Sequence, residues 1–260
     1  MTYGTIKLDE VAPGVRVIAF NRPDVANALS TGMGRELLDA WSGLANDDAL
    51  RCVILRGEGK HFQAGADLKE RNGMSDEAWA EQHRLFEAMI RAQLACPVPV
   101  IAAVHGAAMG GGCEMTLACD FAYAAEDARF GLPEAGLGIL PGLGGTQLLT
   151  RAVGPRRAIE LLTTARPFSA EEALEWGLVS AVVPVDDLMP RVLSVAETIA
   201  SKAPLSVRGA KQVVHRGQDL DLARAMNLEL EVYNKLFTTA DRREGVAAFN
   251  DKRTPAFEGR

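Results

Sequence analysis

CVILRGEGKHFQAGADL, residues 52–68, and VIAAVHGAAMGGGCEM, residues 100–115, read alike: an apolar β-rich run, a glycine-bearing turn, then the opening of a helix. Neither copy of such a unit can bury its apolar strand alone, so the repeat predicts stacked turns of a spiral. Both runs are apolar along their length, as strands covered on both faces are.

Further β-rich runs stand at residues 16–20 (RVIAF), 121–124 (FAYA) and 178–183 (LVSAVV), and the two quoted units contribute strands at 52–55 and 98–104. Between these last two, Trp79, Leu85, Phe86, Met89, Ile90 and Leu94 recur at helical spacing, predicting a helix over 76–94. Alternating strands and helices give an α/β fold. Further along, Pro155 after Gly154 opens a helix, Ser169 with Glu172 has capping-box spacing, and Gly177 stops that helix before a last strand. After Pro204 the periodicity, interrupted at Gly217 and Asp219, predicts a helical tail to the end of the chain. The expected division is a spiral core over 1–200 and a helical region over 201–260.

The 260-residue chain, 48% hydrophobic, is long enough for a sizeable core. Its net charge of −6 provides no basic field, which argues against nucleic acid as a main partner and requires local cations for any anionic ligand. No apolar run approaches the ~18 residues of a membrane span, and the start MTYGTIKLDE lacks the layout of a secretory signal. A cytoplasmic location is expected. Cys52, Cys96, Cys113 and Cys119 form no C-x-x-C pair and sit among apolar neighbours, as reduced buried thiols do. The four histidines are too scattered to suggest a metal site.

The glycines at 110–112 lie where a strand gives way to a helix. N–H groups there lack internal partners, and bare backbone lets a ligand oxygen approach them. Tight packing against a neighbouring backbone is the competing reading. A second junction, Ala64-Gly65-Ala66-Asp67, could supply a second donor. Glu114 follows the glycine run among apolar neighbours, and Glu134 stands in the Gly/Pro-rich FGLPEAGLGILPGLGG loop, residues 130–145, with almost no other charge nearby. Each is a candidate general acid or base; a carboxylate on the loop surface is the plainer alternative for Glu134. G-x-S-x-G, the P-loop and a complete G-x-G-x-x-G are absent. Cys113 with His105 as base would be a nucleophilic pair, but a small buried thiol and a packed ring are the better reading.

Six ordered stretches then resemble the crotonase (enoyl-CoA hydratase/isomerase) superfamily over nearly the whole chain: FNRPDVANAL (20–29), HFQAGADLKE (61–70), PVIAAVHGAAMGGGCEMTLACD (99–120), FGLPEAGLGILPGLGGTQLLTRAVG (130–154), SAEEALEWGLVSAVVP (169–184) and DRREGVAAFNDKR (241–253). The resemblance implies a crotonase-type spiral of ββα turns with a C-terminal helical trimerisation region, assembled as homotrimers or homohexamers and acting on acyl-CoA thioesters. It implies an oxyanion hole from the N–H groups of Ala66 and Gly111, and a hydratase pair in Glu114 and Glu134, one activating water for C3 and the other supplying a proton to C2. Ala64, Ala66, Asp67, Leu68 and Lys69 match residues along the coenzyme A, and Phe249 and Lys252 match C-terminal residues that reach it, in many members from a neighbouring subunit. No metal and no cofactor beyond the substrate's own coenzyme A is implied. Asp24 departs from the family, standing where many hydratases carry a lysine near the CoA phosphates, with Arg22 or Lys60 as substitutes. ADLKERNGMS (66–75) and the ending KRTPAFEGR look similar to the methylglutaconyl-CoA hydratase branch, some of whose members have been linked to AU-rich RNA. Residues 71–79 are expected to line the acyl pocket, and isomerisation, thioester hydrolysis and an RNA-binding role are the competing functions.

Overall fold

The computed structural model describes residues 3–260. Its main sheet has the order β1-β2-β3-β4-β6-β9: β1 (Ile6–Ala12), β2 (Val15–Phe20), β3 (Cys52–Gly57), β4 (Val100–Val104), β6 (Phe121–Ala125) and β9 (Ala181–Val183). β1 is antiparallel to β2, and every later neighbour is parallel. Side-chain alternation divides the parallel strands between two cores. Cys52 and Ile54 of β3 face α8 (Val185–Ala200) with its Leu188, Val192 and Ala196, whereas Val53 and Leu55 face the larger core beneath α1 (Thr31–Ala45) and α3 (Asp76–Leu94). Burial on both faces explains why the central runs carry no polar alternation.

A second, narrower stack crosses from turn to turn of the spiral. Leu29 bridges Ala66, Gln63 bridges Ala108, β5 (Ala107–Met109) pairs in parallel with β7 (Arg129–Gly131), and β7 pairs with β8 (Phe168–Ser169). Gln63 donates its N–H to Ala107 O and accepts from Met109 N–H, both at 2.9 Å. The two quoted units therefore lie in register, each ending at a helix: α2 (Leu68–Arg71) after the first and α4 (Gly111–Leu117) after the second.

Local chemistry sets the helix ends. Ser75 caps α3 by accepting from Ala78 N–H, and Pro155 follows Gly154 at the start of α6 (Pro155–Thr164). Ser169 and Glu172 form a complete capping box on α7 (Ala170–Glu175). Two expected strands are shorter than their apolar runs. Pro97 and Pro99 flank Val98 and lack N–H groups, so β4 begins at Val100. The N–H groups of Leu178 and Val179 turn back to Ala173 O, which delays β9 to Ala181. The expected helical run to the end of the chain is also corrected. After α9 (Pro204–Gly217), α10 (Leu222–Leu236) and α11 (Ala240–Asn250), Lys252 takes a positive φ and the last residues fold back. Buried Asp241 accepts the N–H groups of Glu258 and Gly259 there.

The register between units predicts different tolerances at adjacent glycines. A Cβ on Gly112 would collide with the Gln63 carbonyl, whereas one on Gly111 would make ordinary contacts, the nearest being Leu143 Cδ1 at 3.5 Å. Gly112→Ala should therefore lose about 1–3 kcal/mol or more by chemical denaturation, as overpacking does. Gly111→Ala should stay within about 1 kcal/mol of the parent.

Candidate active site

A cavity of about 570 Å³ opens where these junctions meet α3 and the loop after β7. Its wall includes Ala64, Ala66 and Leu68 from the first junction, Gly110, Gly111 and Glu114 from the second, and Glu134 with Pro141, Gly142 and Leu143 from the loop. Three segments distant in sequence thus converge, because the narrow stack sets the ends of successive turns side by side. Among the described residues, no acceptor takes a hydrogen bond from the N–H of Ala66 or Gly111. Gly110 turns the backbone there with φ +51°, its N–H bonded to Gly131 O at 2.8 Å.

Glu114, one turn into α4, is 2% exposed, and its Oε1 accepts N–H hydrogen bonds from Leu143 at 2.7 Å and Gly145 at 2.8 Å. Burial pushes its pKa up to about 7 against the pull of those donors, and the charge of Glu134 adds to the rise. Gly145 is required at this point, since a Cβ there would lie 2.9 Å from Glu114 Oε1. Glu134 lies not in open loop but in a short 3₁₀ turn, Pro133–Leu137. It is 8% exposed, and its Oε2 has no hydrogen-bond partner among the described residues. Burial raises its pKa as well. The two carboxyls therefore face one apolar cavity, both with an affinity for protons above that of a solvated glutamate.

The remaining sequence candidates separate into those at the cavity and those away from it. Asp67 caps α2 through Oδ1 and pairs through Oδ2 with Arg22 at 3.0 Å, which engages Arg22 within the protein. Lys69 is exposed on α2 and outside the cavity wall. Phe249, 84% exposed, and Lys252 stand at the end of α11 and do not line the cavity of their own chain. Cys113 is fully buried and its thiol pKa is pushed strongly upward by burial, so it is a packing residue. His105 Nε2 bonds Gly59 O at 2.9 Å, outside the cavity wall. Sequence reading missed Gln63, whose side-chain Oε1 accepts from Gly65 N–H at 2.7 Å and holds the first junction; a polar residue between two apolar-flanked glycine turns was the available signal. It also left His83 and Phe86 of α3 unassigned, although both line the cavity. Among the described residues, no three His, Cys, Asp or Glu side chains are grouped to hold a metal ion, and no helix is long and apolar enough to cross a membrane.

The sequence matches the family model described as enoyl-CoA hydratase/isomerase over residues 10–260. A Bacillus subtilis protein named as a putative enoyl-CoA hydratase/isomerase is 43% identical over 98% of this chain and 97% of its own length. A Syntrophomonas wolfei protein named crotonyl-CoA hydratase is 42% identical over 99% of each. The crystal structure of an enoyl-CoA hydratase from Bacillus anthracis superimposes with a TM-score of 0.97 at 43% identity, covering 99% of this chain and all 100% of the other.

The Glu114 carboxyl links stability to pH. Its folded pKa of about 7 exceeds the ordinary 4.5, so its contribution is fully present below pH 4.5 and is lost as pH rises through 7. At ~1.36 kcal/mol per unit the loss is about 3 kcal/mol. Glu114→Gln keeps an acceptor for Leu143 and Gly145 without the charge. Its stability relative to the parent should therefore rise by about that amount between pH 4.5 and pH 8 in denaturant titrations; a pH-independent difference would contradict the assigned burial cost.

Proposed function

The chain belongs to the enoyl-CoA hydratase/isomerase family, and we infer an enoyl-CoA hydratase that works with two glutamates and two backbone N–H groups. The observation that carries this reading is the meeting of Glu114, Glu134 and the unpartnered N–H groups of Ala66 and Gly111 on one cavity. A thioester carbonyl seated against those N–H groups is polarised, and the negative charge it gains as C3 is attacked is stabilised by donors already in position. Glu114, held by two N–H donors and poised near neutral pH, takes a proton from water while the water oxygen bonds to C3. The C2=C3 electrons move toward the carbonyl as an enolate, and Glu134 gives its proton to C2. The proton carried by the pair has then passed from Glu134 to Glu114, and exchange with solvent restores the starting state. Water is the only co-reactant required, and coenzyme A arrives with the substrate.

Assembly beyond one chain fits the surface of the C-terminal region, residues 201–260, which acts in this reading as a subunit-joining unit on a core of residues 1–200. α10 has no buried residue; Leu222, Met226, Leu230 and Tyr233 lie exposed along it, and Phe237 is exposed just past its end. Such an apolar face suits burial against another copy. Phe249 and Lys252, remote from their own cavity, are then available to the coenzyme A of a neighbour in a trimer or hexamer.

Hydration of crotonyl-CoA, followed as loss of the conjugated enoyl-thioester absorbance, tests the reaction; a folded protein without this activity would refute it. Glu114→Gln and Glu134→Gln should each lower kcat by about 10² or more. Gly111→Pro, which removes one donor, should cost about 10²–10³, with circular dichroism checking the fold. Light scattering should give a trimer or hexamer that Leu230→Glu dissociates, and Lys252→Ala should raise KM more than it lowers kcat.

A further inference from the structure

We propose that the buried side-chain amide of Gln63 positions the oxyanion hole, aiming the Ala66 N–H at the thioester carbonyl. The proposal deepens the hydratase reading and rests on it.

The two donors are held by different means. The Gly111 N–H shares a peptide plane with the Gly110 carbonyl, and that carbonyl accepts from Glu114 N–H at 2.9 Å, so the first bond of α4 points the trans N–H away from the helix. Ala66 precedes α2 and has no helix bond of this kind. Leu29 N–H donates to Gly65 O at 2.8 Å, which orients the peptide carrying the Ala66 N–H. The peptide before it, joining Ala64 to Gly65, accepts no backbone hydrogen bond at its carbonyl among the described residues. Gly65 sits at φ +95°, and a glycine tolerates either hand of turn, so its own preferences do not decide which way this peptide faces. Gln63 decides it: Oε1 accepts from Gly65 N–H at 2.7 Å. The same oxygen would lie 2.8 Å from a Cβ on Gly112, so one side chain is wedged between both junctions.

Gln63 is wholly buried, and its Nε2 has no hydrogen-bond partner among the described residues. Turning the amide over would set Nε2 against the Gly65 N–H, donor against donor. A buried donor left unpaired costs at least as much as one good hydrogen bond contributes. The amide therefore adds little net stability, and an orphaned group beside the reacting atoms fits a residue kept for geometry. Plain core packing is the competing account.

Gln63→Met separates the two, keeping the length of the side chain while removing both the strong acceptor and the orphan donor. Its midpoint in chemical denaturation should match or exceed the parent's. Its kcat for crotonyl-CoA should nonetheless fall about 10- to 100-fold with KM within about twofold, because a misaimed donor costs less than the roughly 10²–10³ of a lost one. Acetoacetyl-CoA gives a readout without turnover. On losing its C2 proton it becomes an enolate with negative charge on the thioester oxygen, visible in the ultraviolet. At fixed pH the ratio of bound enolate to bound keto form should drop about tenfold in Gln63→Met. The Kd for butyryl-CoA, whose carbonyl stays neutral, should hold within about twofold by calorimetry. Gln63→Glu, in its neutral form, keeps an oxygen for Gly65 N–H. Its kcat relative to the parent should exceed that of Gln63→Met at low pH and fall as pH rises, since a carboxylate there opposes charge on the thioester oxygen. A Gln63→Met enzyme with the parent's kcat overturns the proposal. So does one that unfolds earlier and loses butyryl-CoA affinity in step with the enolate ratio, or one with no folded state; either makes Gln63 a packing residue. Failure of the parent to hydrate crotonyl-CoA would remove the hydratase reading instead, while the enolate ratio would still decide the role of Gln63.

Discussion

The exchange of two backbone hydrogen bonds between Gln63 and the strand at Ala107 and Met109 sets the geometry on which the site depends. It keeps the two strand-to-helix junctions in register, so that Ala66 and Gly111 end up on the same cavity although 45 positions separate them in sequence. The contact is close enough that Gly112 tolerates no side chain against the Gln63 carbonyl. Glycine at this point thus serves packing, and the neighbouring Gly111 leaves a donor free. The packing reading of the glycine run describes Gly112, while Gly111 keeps the free N–H on which the proposed donor role rests.

Electrostatics follow from that register. Each carboxyl sits where water has been displaced by backbone and apolar side chains, and each is consequently drawn toward its neutral form. Stability is sacrificed locally, as at many sites whose groups are arranged for chemistry. The large core between the sheet and α1 and α3 tolerates this cost, because it is continuous and almost wholly apolar.

Much of the fold was legible because its signals are local. The helix over 76–94 has its serine cap and its apolar stripe in one uninterrupted run, and its bounds in the structure are Asp76–Leu94. The strands of the main sheet from β2 onward were visible as apolar runs, with ends misjudged where prolines or returning N–H groups interrupt pairing. The elements that escaped notice lack such signals. β1 alternates charged and apolar residues at the sheet edge, α1 hides its Ser30 cap behind Gly32 and Gly34, and β5 and β7 are three residues each. At the site, residue types marked Glu114 and Glu134 as candidates, but spacing could not bring them together. Residues 71–79 were expected along the acyl pocket, and both ends of that stretch, Arg71 and Trp79, line the cavity; the shape of the pocket needed the packing of α3 against α2.

The loop that covers the cavity also supplies the N–H groups of Leu143 and Gly145 to Glu114, and Leu140 within it is 73% exposed. One segment is therefore both the door and the tuning element. An outward swing would exchange those two fixed donors for water at a carboxyl whose proton affinity is set mainly by burial. Access to the cavity and the proton affinity of Glu114 are therefore geared together through one loop.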